Sequence, residues 1–174
     1  LEGDCMRMQA VLVTGASTGI GRACAMRLDA MNYTVFAGVR RESDADRLRK
    51  SGTARLNPVL LDVTDPQHVD KCAAQIERKA GKSGLAGLVN NAGIPVLGPM
   101  EHVQLDDLRR QLEVNVIGQI AVTKAMLPML RDARGRIVNM SSISGRVALP
   151  FCGPYAASKF ALEAISDSMR LELE

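Results

Sequence analysis

Five short apolar runs, separated by stretches of helical periodicity, constrain this chain more than any single residue does. They are Ala10 to Val13, Val35 to Val39, Val59 to Leu61, Leu85 to Val89 and Arg136 to Met140. Each is too short for a helix and is bounded by loop residues, so each reads as a strand buried on both faces. Between them, Arg22, Cys24, Met26 and Leu28 follow a helical pattern. Asp65-Pro66 reads as an N-cap with proline at the first helical position, starting a helix through Val69, Ala73 and Ile76 towards Gly81. Leu105, Leu108, Leu112, Val116 and Ile120 mark one stripe of a longer helix, expected to end or kink near Pro128. Strands alternating with helices imply an α/β fold with a doubly wound, Rossmann-like parallel sheet, because right-handed crossovers place helices on both faces. Ligands of such sheets bind beyond the carboxyl ends of the strands, where the strand order reverses.

The 174 residues, 47% of them hydrophobic, suit one domain over residues 1–174. The net charge of +3 is small, and the one local basic cluster, Arg40, Arg41, Arg47, Arg49 and Lys50, has no interleaved aromatic residues, so no nucleic-acid surface is expected. Cys5, Cys24, Cys72 and Cys152 show neither CxxC nor Cys/His ligand spacing, which excludes a metal site of that kind and favours free thiols in a reducing compartment. Cys152, three residues before Tyr155, reads as a loop or core cysteine. No stretch approaches the length of a membrane span, and Leu1 to Arg7 hold no signal-peptide core; a cytoplasmic protein without membrane contact is the expectation.

Two constellations carry chemistry. The first apolar run enters a loop with Gly15, Gly19 and Gly21, and a helix follows. Backbone in such a loop can approach a pyrophosphate, which the N–H groups and positive dipole end of the helix then hold. The spacing is G-x-x-x-G-x-G, so the general G-x-G-x-x-G fingerprint applies only in its physical logic. The second is Ser142, Tyr155 and Lys159. Tyr155 follows Gly153-Pro154, a helix start, and Lys159 lies one turn further on the same face. An ammonium held beside a phenol favours the phenolate by charge attraction, which suits the hydroxyl to proton transfer with a carbonyl or an alcohol.

Thr14-Gly15-x-x-x-Gly19-Ile20-Gly21, Asn90-Asn91-Ala92-Gly93, Asn115, Ser142, Tyr155 and Lys159 together resemble the short-chain dehydrogenase/reductase superfamily in its smaller single-domain form, from about Gln9 to the last residue. The resemblance implies an NAD(P)-dependent oxidoreductase that interconverts a carbonyl and an alcohol. It makes Tyr155 the acid/base, gives Lys159 the nicotinamide ribose, and sets Ser142 against the substrate oxygen. Ser142 is preferred over Ser141 and Ser144 because it lies thirteen residues before Tyr155, as the family's serine does. Asn115 is implied to distort its helix and help hold a water that links the lysine to solvent. Cofactor contacts are implied at Gly15, Ser17, Thr18, Gly19, Ile20 and Gly21, at Asp62 and Val63 beside the adenine, at Asn91, Ala92 and Gly93, and at Tyr155 and Lys159.

The second apolar run ends at Val39 and is followed by Arg40 and Arg41, where a carboxylate would accept the ribose hydroxyls of NAD and repel a 2′-phosphate. NADP is therefore the expected cofactor, with NAD as the alternative and Arg40 as the phosphate contact. Ile94, Val96, Leu97, Val147, Leu149 and Phe151 suggest an apolar pocket for a hydrophobic ketone or secondary alcohol. Sugar-nucleotide epimerases share Tyr-x-x-x-Lys, but the glycine spacing and the Asn90 to Gly93 motif disfavour them. Members of the resembled family continue through two more strands and a substrate-covering segment, whereas this sequence ends at Glu174. The expectation is a domain truncated after the Tyr-x-x-x-Lys helix, with its fifth strand an uncovered edge and turnover by this chain alone in question. The alternative reading is a cofactor-binding or structural relic without turnover. The resemblance also implies a homo-oligomer, commonly joined through the helix after Tyr155.

Overall fold

The computed structural model describes residues 9–173; Cys5 and the rest of the stretch from Leu1 to Arg7 lie outside them. Five strands form one parallel sheet: β1 (Ala10–Val13), β2 (Thr34–Val39), β3 (Leu56–Leu60), β4 (Leu85–Asn90) and β5 (Arg136–Asn139). Their order across the sheet is β3-β2-β1-β4-β5. The chain runs outward from β1 to β3, then crosses back to place β4 on the other side of β1. The reversal therefore falls between β1 and β4.

The doubly wound fold is present as expected, and the alternation of side chains along each strand explains it. Ala10 and Leu12 of β1 join Phe36, Val59 and Leu88 in a core covered by helices α3 (Pro66–Ala80) and α5 (Gly118–Ala133), through Val69, Ile76, Val122 and Met126. Val11 and Val13 point the other way, with Val35, Ala37 and Leu56, and meet Ala25 of α1 (Gly19–Ala30) and Ala45 and Leu48 of α2 (Glu42–Ser51). Asp65 caps α3 as its sequence indicates, accepting from Gln67 N–H at 2.8 Å with Pro66 following.

The long helix differs from its sequence pattern in two ways. It runs through Pro128 to Ala133, because Met126, Met129 and Leu130 are core residues while the proline ring lies on the exposed side. The irregularity sits earlier: α4 (Leu105–Leu112) passes into a single π turn (Glu113–Ile117) and then into α5. Leu105, which the pattern placed on the apolar stripe, is 63% exposed, whereas Gln111 and Asn115 are completely buried. The final helix, α6 (Gly153–Glu172), packs against the π turn and α4. At the sheet edge, β5 has Val138 half exposed. Among the described residues, no helix is long and apolar enough to cross a membrane.

Phe36 has no accessible surface and sits in the apolar core between the sheet and its helices. Phe36→Ala is expected to lower the unfolding free energy by about 3–5 kcal/mol, against about 1 kcal/mol for the cap change Asp65→Ala, both read from urea denaturation. Equal losses would show that the sheet core does not dominate stability.

Candidate active site

At the β1/β4 reversal two side chains take over where ladder bonding stops. Thr14 Oγ1 accepts from the backbone N–H groups of Asn91 and Ala92, both at 2.9 Å. Asn91 Nδ2 in return donates to the carbonyls of Thr14 (2.9 Å) and Gly15 (3.1 Å). The glycine loop is so tightly drawn in that a Cβ on Gly15, which has φ +63°, would lie 2.9 Å from the Ala92 Cα. A Cβ on Gly21 would lie 2.4 Å from both Asn91 Nδ2 and the Gly15 carbonyl oxygen. Only glycine fits at either place.

Above this floor opens a cleft of about 470 Å³. Gly15, Ser17, Thr18, Gly19 and Ile20 line one side, and Asn91, Ala92 and Gly93 line another. Arg40, Asp62 and Val63 close its far end. Gly21 is buried beneath the loop rather than lining it. Thr18 is the N-cap of α1 and makes no side-chain cap bond, and no acidic residue stands in the first turn, so the amides and positive end of that helix face the cleft unopposed. Desolvation alone would raise the Asp62 carboxyl, but bonds from the Thr64 N–H (3.0 Å) and hydroxyl (2.7 Å), with the charges of Arg40 and His68, hold it below its ordinary value. Of the basic cluster, Arg47 pairs with Asp44, and Arg49 with Glu42 and Asp46. Arg40 makes no ion pair among the described residues and is the one member that lines the cleft.

Asn115, Ser142, Tyr155 and Lys159 do not line that cleft; a relay of contacts joins them to it. Ile94, a lining residue, gives its N–H to Asn115 Oδ1 (2.8 Å) and accepts from Asn115 Nδ2 (2.9 Å). The same Nδ2 reaches Ser158 Oγ on α6 at 3.0 Å. One residue on, Lys159 sends its Nζ to the Met140 carbonyl (2.6 Å), two residues before Ser142, and lies 5.8 Å from the centre of the Tyr155 ring. Ser142 caps a short 3-10 turn, its Oγ accepting from Ser144 N–H at 3.1 Å. That leaves its own hydroxyl hydrogen free to donate elsewhere. Cys152 is half-buried and free at the start of α6, and burial pushes the Cys72 thiol up to about 12.

Several residues were not singled out from sequence. Gly38, Val39, Leu61 and Val114 also line the cleft, as does Ile94, which the sequence pattern assigned to an apolar substrate pocket instead. Thr14, quoted only as part of the glycine motif, ties its two walls together. Gln111 and Gln119 are wholly buried beside Asn115. Their one signal is the spacing of four that sets both glutamines in line with Asn115.

A sequence profile described as short chain dehydrogenase matches residues 9–174. The chain belongs to that family. It is 44% identical over 164 residues to retinol dehydrogenase 5 of Mus musculus, covering 94% of the chain and 51% of that relative. The chain thus spans about half the length of the curated relative it matches. Among solved structures, a short-chain dehydrogenase from Streptomyces avermitilis superimposes with a TM-score of 0.89 at 36% identity, covering 95% of this chain and 60% of that one. An alcohol dehydrogenase from the archaeon Thermococcus sibiricus, complexed with 5-hydroxy-NADP, superimposes with a TM-score of 0.87 at 26% identity, covering 95% and 71%.

Lys159 is only 4% exposed, and burial lowers its pKa below the ordinary 10.5. Between that lowered value and 10.5 the unfolded chain binds more protons than the folded one, so this group's contribution to stability rises with pH across that window. The melting temperature of the parent relative to Lys159→Met should therefore climb with pH there. A difference independent of pH would show that the ammonium is not desolvated.

Proposed function

We propose that this domain is an NADP-dependent oxidoreductase that interconverts a carbonyl and an alcohol on a hydrophobic substrate. The observation that carries the reading is the buried Lys159 ammonium beside the Tyr155 ring, on a helix whose Ser158 is hydrogen-bonded through Asn115 to Ile94 in the wall of the glycine-loop cleft. The tight glycine floor fits the close backbone approach that a pyrophosphate needs. The first-turn amides of α1 would hold that pyrophosphate, Asp62 and Val63 the adenine, Arg40 the 2′-phosphate and Lys159 the nicotinamide ribose. Ser17, Thr18, Ile20, Asn91, Ala92 and Gly93 would shape the walls. Bound there, the nicotinamide supplies or accepts a hydride.

The chain's own residues then manage the proton and the charge. In reduction, the Tyr155 hydroxyl donates its proton to the substrate oxygen; in oxidation it takes the proton back. Ser142, with its hydroxyl hydrogen uncommitted, donates to the same oxygen and stabilises negative charge as it develops. The Lys159 ammonium offsets the charge left on the phenol oxygen, and the Met140 carbonyl aims it. Asn115 holds Ile94 and Ser158 in place and, by family resemblance, helps to hold a water between the lysine and solvent.

Exposed Leu97, Ile143, Val147, Leu149 and Phe151 on the loops after β4 and β5 offer an apolar surface. The Gly98 N–H bonds the Phe151 carbonyl at 2.8 Å, joining the two loops. With the likeness to a retinol dehydrogenase, this supports a hydrophobic alcohol or ketone. The free cysteines fit a reducing, cytoplasmic setting, and α6 is the proposed contact between copies of the chain.

NADPH consumption over a panel of hydrophobic ketones and aldehydes tests the reading. Tyr155→Phe is expected to lower kcat by at least about 100-fold. Arg40→Ala is expected to lower kcat/KM for NADPH by roughly tenfold or more while barely changing that for NADH. Tight NADPH binding with no carbonyl-dependent oxidation across the panel refutes turnover, and equal efficiency with NADH refutes the cofactor assignment.

A further inference from the structure

The buried face of the α4–π turn–α5 helix carries amides where a core helix ordinarily carries aliphatic side chains. Gln111, Asn115, Gln119 and Thr123 are each no more than 3% exposed, and they recur at every fourth position. Alongside runs the extended chain from Asn90 to Val96, and its partners recur at every second position. Asn90 Nδ2 donates to Thr123 Oγ1 (2.8 Å), and Gln119 Nε2 donates to the Ala92 carbonyl (2.8 Å). Asn115 takes both backbone groups of Ile94, and the Val96 N–H donates to Gln111 Oε1. Helix and extended chain are thus joined rung by rung in opposite directions.

The translational match is close: four helical residues advance about 6 Å and two extended residues about 6.6 Å. Rotation is the difficulty. At about 100° per residue, each four-residue step overshoots a full turn by about 40°, so three steps in an uninterrupted α-helix would carry Thr123 about 120° round from Gln111. The π turn at Glu113–Ile117 removes most of this, because inserting one residue takes back about 100°. All four rungs then keep to one line.

We propose that Gln111 and Gln119 are positioning residues which, with the π turn, fix the height and register of the segment Ala92–Val96 and so the wall of the dinucleotide cleft. A stabilising role alone does not account for them. Gln111 Nε2 and Gln119 Oε1 are buried with no hydrogen-bond partner among the described residues, a penalty that leucine at either position would not incur. What an amide adds over leucine is direction. The ligand in this inference rests on the dinucleotide reading given above, whereas the register does not.

The informative probe is the Ile94 N–H, which neither glutamine touches. In Gln111→Leu and Gln119→Leu, folded with melting temperatures near that of the parent, hydrogen exchange at Ile94 is expected to accelerate about tenfold or more. The Kd for NADPH is expected to rise about fivefold to tenfold as the wall loses its preorganisation. Unchanged exchange at Ile94 in a folded variant overturns the register claim, and faster exchange with an unchanged Kd overturns its link to the cleft. Should a leucine variant not fold, Gln111→Glu, which keeps an acceptor for Val96 N–H, is expected to show parent-like exchange at Ile94; accelerated exchange there overturns the proposal. A parent chain that binds neither NADPH nor NADH removes the cofactor reading and leaves Ile94 exchange to decide the register on its own.

Discussion

Two side chains, Thr14 and Asn91, hold the β1/β4 reversal together with five hydrogen bonds to backbone. The strands must part here if a ligand is to enter, yet each parted backbone group still needs a partner. The hydroxyl of Thr14 meets two donors, and the amide of Asn91 meets two acceptors. Ladder bonding is replaced without being lost, and the glycine loop is drawn down until no Cβ fits at Gly15 or Gly21. The orientation of α1's amides and the depth of the cleft follow from that closure.

The second constraint is electrostatic. Lys159 is buried with a backbone carbonyl for its direct partner, the carbonyl of Met140. A carboxylate in that place would neutralise the ammonium locally and turn its field away from the phenol. A carbonyl dipole orients the charge and leaves it uncompensated. The energetic burden of a desolvated cation is thus kept next to the ring where the proposed proton transfer occurs, which is where a charge imbalance has a use.

Much of this was legible from residue pattern. All five strands, the cap at Asp65-Pro66 and the doubly wound topology follow from short apolar runs and local turn chemistry, both of which are properties of near neighbours. The long helix was less legible. Pro128 signals a break in isolation, but the core contacts of Met126, Met129 and Leu130 outweigh one missing backbone bond. The leucine stripe was misleading at Leu105, and the buried line was polar instead. A glutamine in a helix is read as solvated because an isolated amide is costly to bury. Gln111 and Gln119 escape that rule only because an extended chain, distant in sequence from neither but invisible in the periodicity, supplies backbone partners. Residues that belong to a motif stand out in the sequence, and those defined by a partner segment do not.

The bonds that close the cleft connect residues 77 positions apart, from Thr14 to Asn91. Chain emerging from a ribosome can assemble β1, β2 and β3 with their helices long before Asn91 exists, and the helix that braces the far wall comes later still. During that interval the glycine loop has nothing to lie against. The cleft is therefore complete only once the chain as far as Gln119 has been made, well after the glycine loop that forms its floor.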